Sequence, residues 1–228
     1  MVDQISCVEG SYQVGDVHGH GTHVAGSIGG ATLGVAAEAS ILDLRVFGQY
    51  GGASTSSILR ALNLCVQRNV DIVNMSLGSN YASRVLDAAV DATAQAGVLT
   101  CVAAGNSGPS AYTINSPASA QQSIAVAATR SDGQVASFSS RGPNPWYAWA
   151  KPDIASFGVN VISASHRGGT CVMSGTSMAT PAVAGVLACL IERFNEDHDA
   201  RFLAESLLKE AADPLGQPYN SVGTGYGP

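Results

Sequence analysis

The sequence predicts an α/β fold in three layers, in which a doubly wound, mostly parallel sheet carries helices on both faces. Apolar strand-like runs alternate with segments of helical period along the chain, the pattern of parallel strands joined by crossover helices. The strand-like runs are short and rich in apolar residues, as expected for strands buried between two helical layers. Because 228 residues are enough for one sizeable core, we expect a single domain over residues 1–228.

Each predicted element follows from its own local pattern. The strand-like runs occupy residues 39–47, 70–78, 98–106 and 123–130. Residues 54–69 start with serine and threonine and carry apolar residues at helical spacing, while residues 83–97 place theirs on one helical face and stop at Gly97. Residues 168–194 pass from a glycine-rich turn into a helix that is apolar almost all round as far as Ile191. Such a helix is predicted to be central and buried.

The composition argues against several classes of partner. Apolar residues make up 46% of the chain, but no uninterrupted apolar run reaches the length that spans a membrane. The net charge of −6, without a block of like charges, argues against nucleic acid and against an anionic membrane surface. The five cysteines are widely spread and lack zinc-binding spacing, so most of them are expected to be small buried side chains.

Three residues stand in settings that suit hydrolytic chemistry. Ser177 lies where the chain enters the buried helix, with Pro181 expected in the first turn of that helix. Free backbone N–H groups and the positive end of the helix dipole would favour an oxyanion at Ser177, although the serine could equally be a simple N-cap. His20 precedes a helix of small residues, and Asn106 follows a strand, where alone it would be a turn residue.

The motifs around these residues resemble those of the subtilisin-like serine proteases (subtilases, peptidase family S8), in that family's chain order. The matching stretches are "HGTHVAG", "AAGNSG" and "SGTSMATPAVAG", with further matches in "GVAAEASILDLRVF", "VNMSLGS", "SFSSRGP" and "KPDIASFGVNVISA". The short segment 27–39 is similar to the proteinase K-like branch. The resemblance implies a subtilisin-like fold and a serine endopeptidase.

The resemblance also implies a role for each residue of the site. Ser177 Oγ would attack the scissile carbonyl, His20 would take its proton, and the Asn106 amide with the Ser177 N–H would hold the oxyanion. Two short segments would contact the polypeptide substrate: Ser76, Leu77 and Gly78 through a strand edge, and Ala103, Ala104 and Gly105 as the wall of a roomy, apolar pocket of broad specificity.

The resemblance implies one candidate metal ligand. Asp153 matches the position of a calcium-binding carboxylate in many family members, where backbone carbonyls, here around Gln121 and Ser123, assist it. Calcium takes six to eight oxygen ligands, so a structural Asp153 without metal is the alternative. No cofactor is required for the catalysis itself.

The family has a third catalytic residue, a buried aspartate on a strand about thirty residues before the histidine. The sequence before His20 contains no counterpart of this aspartate. We expect no strand among the nineteen residues that precede His20, and neither Asp3 nor Asp16 matches the catalytic aspartate. At the other end, residues 221–228 resemble the family's approach to its final helix. The expectation is therefore a chain that lacks the first strands, with the aspartate, and the last helix, at a cost of about ten thousandfold in turnover.

Two other functions remain open from the sequence. An inactive fragment or peptide-binding pseudoprotease of the same fold would use the same surface without catalysis. A zinc protein would use His18, His20 and His23 with Asp16, although no HExxH motif or distant cysteine pair supports it. The resemblance implies a monomer that is extracellular in its full-length form; the given residues hold no recognisable export signal.

Overall fold

The structure is a computed structural model that describes residues 3–194 and 199–215. In these residues the strands are β1 Asp3–Ser6, β2 Leu42–Arg45, β3 Ile72–Met75, β4 Leu99–Ala103, β5 Ile124–Thr129, β6 Ile154–Phe157, β7 Val161–Ala164 and β8 Thr170–Met173. The helices are α1 His20–Gly29, α2 Thr55–Gln67, α3 Arg84–Gln95, α4 Thr176–Arg193 and α5 Ala200–Glu210. The stretch 221–228, compared above with the family's approach to its last helix, lies outside the described residues.

Parallel strands form the middle layer. Strands β3, β4, β5 and β6 pair in that order and all run parallel, and β1 pairs in parallel with β2. Strands β2 and β3 share a hydrophobic cluster but no strand pairing, so the parallel strands fall into two groups. A separate antiparallel pair, β7 with β8, precedes α4.

Side chains that alternate along the strands build one core on each face of the sheet. In β4, Cys101 packs into the cluster under α4 and α5, whereas its neighbour Val102 packs into the cluster under α2 and α3. In β5, Val126 and Ala125 divide in the same way. Successive strand residues point to opposite faces, so this alternation produces three layers. The three-layer α/β fold predicted from the sequence is confirmed.

The serine and glycine signals in the sequence mark where α2 and α3 begin and where α3 ends. The Ser54 hydroxyl accepts the Ser57 N–H at the start of α2, and the Ser83 hydroxyl accepts the Leu86 N–H at the start of α3. Gly97 follows α3 with a φ of +89°, a conformation that glycine adopts without a steric penalty. The long helix α4 packs against α1, α5 and all four strands of the main sheet, in agreement with the predicted buried helix.

The expectation that no strand precedes His20 was wrong. Residues Asp3–Ser6 form β1, which contains one apolar side chain, Ile5, and therefore shows no period in the sequence. Pairing with β2 supplies the hydrogen bonds that its own sequence does not predict. Asp3 itself forms an ion pair with Arg68 (3.6 Å) at the surface and not with His20.

Two further structural facts bear on the sequence predictions. Among the described residues, no helix combines the length and the apolarity needed to cross a membrane. Cys7, Cys65 and Cys101 are buried, Cys171 is partly buried and Cys189 is exposed, all as free thiols. Burial raises the pKa of the Cys65 thiol to about 11, so this thiol stays protonated at neutral pH.

Candidate active site

The carboxyl ends of β3 and β4 meet the amino end of α4. β3 ends at Met75 and leads into Ser76, while β4 ends at Ala103 and leads into Asn106. Ser177 is the second residue of α4, and its carbonyl accepts a hydrogen bond from the Ser76 hydroxyl (2.9 Å). Ligands in open α/β sheets bind at this edge, because the loops that leave adjacent strands converge there.

A cavity of about 310 Å³ opens at this meeting point. Five of the predicted substrate and oxyanion residues line it together with Ser177, namely Leu77, Gly78, Ala103, Gly105 and Asn106. Ala104 does not: it is fully buried, and its side chain packs in the core. Ser76 lies beside the cavity, under Ser177.

The cavity wall is more polar than the sequence predicts. The expected apolar pocket was wrong, because Asn80, Ser107, Asn115 and Thr176 also line the cavity. Asn115 reaches the cavity from the loop between β4 and β5, where its own backbone N–H donates to the Ala104 carbonyl (3.0 Å). A Cβ at Gly105, where φ is +113°, would lie 2.5 Å from the Asn115 side chain, so only glycine fits there.

Ser177 lines this cavity, and among the described residues its backbone N–H is unpaired while its hydroxyl is bound. The N-cap of α4 is Gly175, so the N-cap interpretation of Ser177 was wrong. In the described part of the chain no acceptor binds the Ser177 N–H, which belongs to the first turn and therefore has no partner within the helix. The Ser177 hydroxyl donates to the Ser76 carbonyl at 3.3 Å.

The sequence led us to expect Pro181 in the first turn of α4, and this expectation was wrong. Since α4 begins at Thr176, Pro181 is its sixth residue and lies inside the helix. A residue at that position normally donates its N–H to the carbonyl four residues earlier, here that of Ser177. Because proline has no N–H, the Ser177 carbonyl accepts a hydrogen bond from the Ser76 hydroxyl instead.

Asn106 is held in one orientation by its carbonyl oxygen. Asn106 Oδ1 accepts the Thr176 N–H (2.9 Å) and the Thr176 hydroxyl (3.1 Å). A backbone N–H can only donate, so the amide oxygen must face Thr176 and the amide NH₂ must point the other way. The NH₂ group is then free to donate into the cavity that both Asn106 and Ser177 line.

His20 is the first residue of α1 and is half-buried. Burial, reinforced by the nearby charge of His18, lowers the pKa of His20 below its ordinary value of 6.5, so the ring is neutral at pH 7. No hydrogen bond joins His20 to Ser177 or to a carboxylate within the described residues, so the structure does not bring these predicted partners into contact.

Asp16 holds the loop before α1. Its carboxylate accepts the N–H groups of His18, Gly19 and Thr22 and the hydroxyl of Thr22, at 2.7–2.9 Å. Burial alone would raise the pKa of Asp16, but these four hydrogen bonds together lower it far below its ordinary range. With its oxygens engaged in this way, Asp16 fixes the first turn that carries His20.

The histidines of the zinc hypothesis do not converge. His23 is fully buried, and its Nε2 lies 3.0 Å from the Val161 carbonyl on β7, so it is a packed residue of α1. Asp16 is engaged by the α1 loop. Over residues 3–194 and 199–215, no group of three histidine, cysteine, aspartate or glutamate side chains is arranged to hold a metal ion.

The oxygens named for calcium surround a lysine ammonium group instead. Lys151 Nζ lies 2.7 Å from Asp153 Oδ2, 3.3 Å from the Gln121 carbonyl and 2.5 Å from the Ser123 carbonyl. Lys151 is only 1% exposed. The residues present therefore do not fit a calcium ion, because the ammonium group occupies the centre of the expected ligand set and carries the positive charge there.

Comparison with known proteins establishes the family of the chain. A model of the subtilase family (Peptidase_S8) matches residues 3–227. The chain belongs to the subtilase family. Serine protease AprX of Bacillus subtilis (strain 168) is 37% identical to this subtilase in an alignment that covers 87% of the chain and 53% of AprX. Subtilisin Savinase of Lederbergia lenta is 38% identical over 96% of the chain and 79% of that protein.

Solved structures show the same architecture. The crystal structure of a cold-adapted subtilisin-like serine proteinase superimposes with a TM-score of 0.84 at 34% identity, over 99% of this subtilase and 79% of that chain. These findings confirm the family and the subtilisin-like fold. The subtilase chain spans about half the length of AprX and of the thermostable alkaline protease of Halalkalibacterium halodurans.

Proposed function

We propose that this subtilase chain carries the nucleophile, base and oxyanion site of a serine endopeptidase. The orientation of Asn106 is the observation that supports this proposal most strongly. Its oxygen is bound to Thr176, so its NH₂ and the unpaired Ser177 N–H are two donors at one cavity. Donors fixed before the reaction stabilise the tetrahedral oxyanion without reorganising, which is the largest single contribution to catalysis of this kind.

In this proposal Ser177 and His20 share the proton transfer. The Ser177 oxygen forms the bond to the scissile carbonyl carbon while His20 takes the hydroxyl proton, and the protonated His20 donates that proton to the amine nitrogen as the C–N bond breaks. Water, deprotonated by His20, then attacks the acyl carbon and releases the Ser177 oxygen, which takes the proton back. A pKa below 6.5 keeps His20 neutral and able to act as a base at pH 7. The Ser177 hydroxyl must leave the Ser76 carbonyl and turn toward His20 for this transfer.

The substrate would be an extended polypeptide. Residues 76–78 follow the edge strand β3, where a peptide can add as a further strand, and the cavity would take the side chain that precedes the cut. Its amide and hydroxyl walls both donate and accept, and no charged residue lines it among the described residues. We therefore propose a broad specificity that favours small and polar side chains.

No metal or cofactor takes part in the proposed reaction. We propose that Lys151 serves as the cation in the site formed by Asp153 and the carbonyls of Gln121 and Ser123. We also retain, as proposals, a monomer and an extracellular location for the full-length protein. Light scattering and the sequence encoded upstream test these two.

A fluorophosphonate probe tests the proposed function. The proposal predicts slow, time-dependent labelling of the folded chain that disappears in Ser177→Ala and falls in His20→Ala. Circular dichroism must show that each variant is folded. A folded wild-type chain that is never labelled would favour the alternative, a peptide-binding protein without a reactive serine.

A further inference from the structure

The backbone carbonyl of Ser177 lacks the helical donor that other carbonyls of α4 receive. Pro181, four residues later, carries no N–H, and in a helix a proline ring also pushes against the carbonyl four residues before it. The carbonyl that is affected belongs to the proposed nucleophile. A polar group left without a partner in this half-buried position is costly, so a donor from elsewhere is needed.

Ser76 supplies that donor from the end of β3. Its hydroxyl donates to the Ser177 carbonyl at 2.9 Å, and the Asn74 amide donates to the same hydroxyl oxygen at 3.0 Å. The Asn74 amide thus occupies an acceptor position of the Ser76 oxygen and directs its proton toward Ser177. In return, the Ser177 hydroxyl donates to the Ser76 carbonyl. The start of α4 is thereby fastened to the end of β3 through Ser177 itself.

We propose that Ser76 is a positioning residue for the nucleophile. By holding the carbonyl that Pro181 leaves unpaired, its hydroxyl sets the tilt of the first turn of α4 and so directs the Ser177 Oγ and N–H toward the cavity. This role goes beyond the backbone contact with substrate proposed for Ser76. It rests on the proposed function, because it concerns how Ser177 reacts.

A double-mutant cycle separates this role from ordinary packing. Ser76→Ala in the Pro181 background should lower the maximal rate of fluorophosphonate labelling, kinact, about five- to tenfold, with little change in probe affinity. Ser76→Thr keeps the hydroxyl and should restore most of the rate. In Pro181→Ala the new alanine N–H can donate to the Ser177 carbonyl, so adding Ser76→Ala there should change kinact by less than about twofold.

Thermal unfolding of the same proteins tests the hydrogen bond between Ser76 and Ser177 independently of the labelling reaction. Ser76→Ala should lower Tm by about 3–6 °C with Pro181 present and by clearly less in the Pro181→Ala background. The matched control is Thr93→Val, which removes another buried hydroxyl that donates to a backbone carbonyl, that of Ala89 in α3. It should lower Tm equally in both backgrounds and leave kinact unchanged.

Each outcome decides between the two proposals. Equal effects of Ser76→Ala on Tm in both backgrounds overturn the contact, and hence the positioning role, even if Ser177 is labelled. Coupling in Tm without any change in kinact shows a structural contact only and also overturns the role. A folded wild-type chain that stays unlabelled overturns the proposed function, and the positioning role with it, and the Tm cycle then still reports whether the hydrogen bond exists.

Discussion

Replacing Lys151 by methionine tests the proposal that its ammonium group is the cation of the Asp153 site. The substitution keeps a long apolar side chain but removes the charge and all three hydrogen bonds. Asp153 Oδ2 would keep the Ala125 N–H (2.7 Å), whereas two carbonyls would lose this donor and the carboxylate would lose its counter-ion.

The expected loss of stability is large because the pair is buried. Lys151 is 1% exposed and the Asp153 side chain 13% exposed, so water screens their interaction poorly. Removing one partner of such a pair typically costs about 3–5 kcal/mol. For a domain of this size that corresponds to a fall in Tm of about 6–20 °C.

Scanning calorimetry measures this change, and an exposed ion pair provides the control. Arg130 and Asp132 lie 3.4 Å apart with their side chains about half exposed, so Arg130→Met should alter the free energy of unfolding by at most about 1 kcal/mol. A Lys151→Met protein as stable as the wild type would show that the ammonium group is not the cation of this site.

Three other predictions follow from the same geometry. Asn106→Leu should slow fluorophosphonate labelling of Ser177 about a hundred- to a thousandfold relative to the wild type, because one oxyanion donor is lost. The labelling rate should rise with pH through a midpoint below 6.5, and His18→Gln should move that midpoint upward, because the charge of His18 helps to lower the pKa of His20. The hydrogen bonds to Asp16 lower its folded-state pKa, so their contribution to stability is complete above the unfolded value of about 3.9 and is lost as the pH falls below it. The free energy of unfolding of Asp16→Ala should therefore depend less on pH in this acidic range than that of the wild type.

Local patterns account for most of the fold. Apolar runs and helical periods predict strands β2 to β5 and helices α2, α3 and α4, because each of these elements buries a face of its own. Strands β1, β6, β7 and β8 and helix α5 were not predicted from these patterns. The four residues of β1 become a strand only by pairing with β2, and that pairing depends on the tertiary structure.

The site residues that lie in sequence motifs could be predicted, whereas those that reach the site only through tertiary contacts could not. Ser177, His20 and Asn106 stand in distinctive local sequences. Asn115 reaches the cavity only because a loop folds back on Ala104, and no local signal marks it. Lys151 lies two residues from Asp153 in the sequence, but its place among the carbonyls follows from burial that spacing alone does not reveal.

A crystal structure of the chain after reaction with the fluorophosphonate would show whether Ser177 is the nucleophile and Asn106 an oxyanion donor. We expect phosphorus bonded to Ser177 Oγ, with the phosphonyl oxygen about 2.7–3.1 Å from the Asn106 side-chain nitrogen and also bound by the Ser177 N–H. An adduct on another residue, or a phosphonyl oxygen directed away from Asn106, would contradict this expectation.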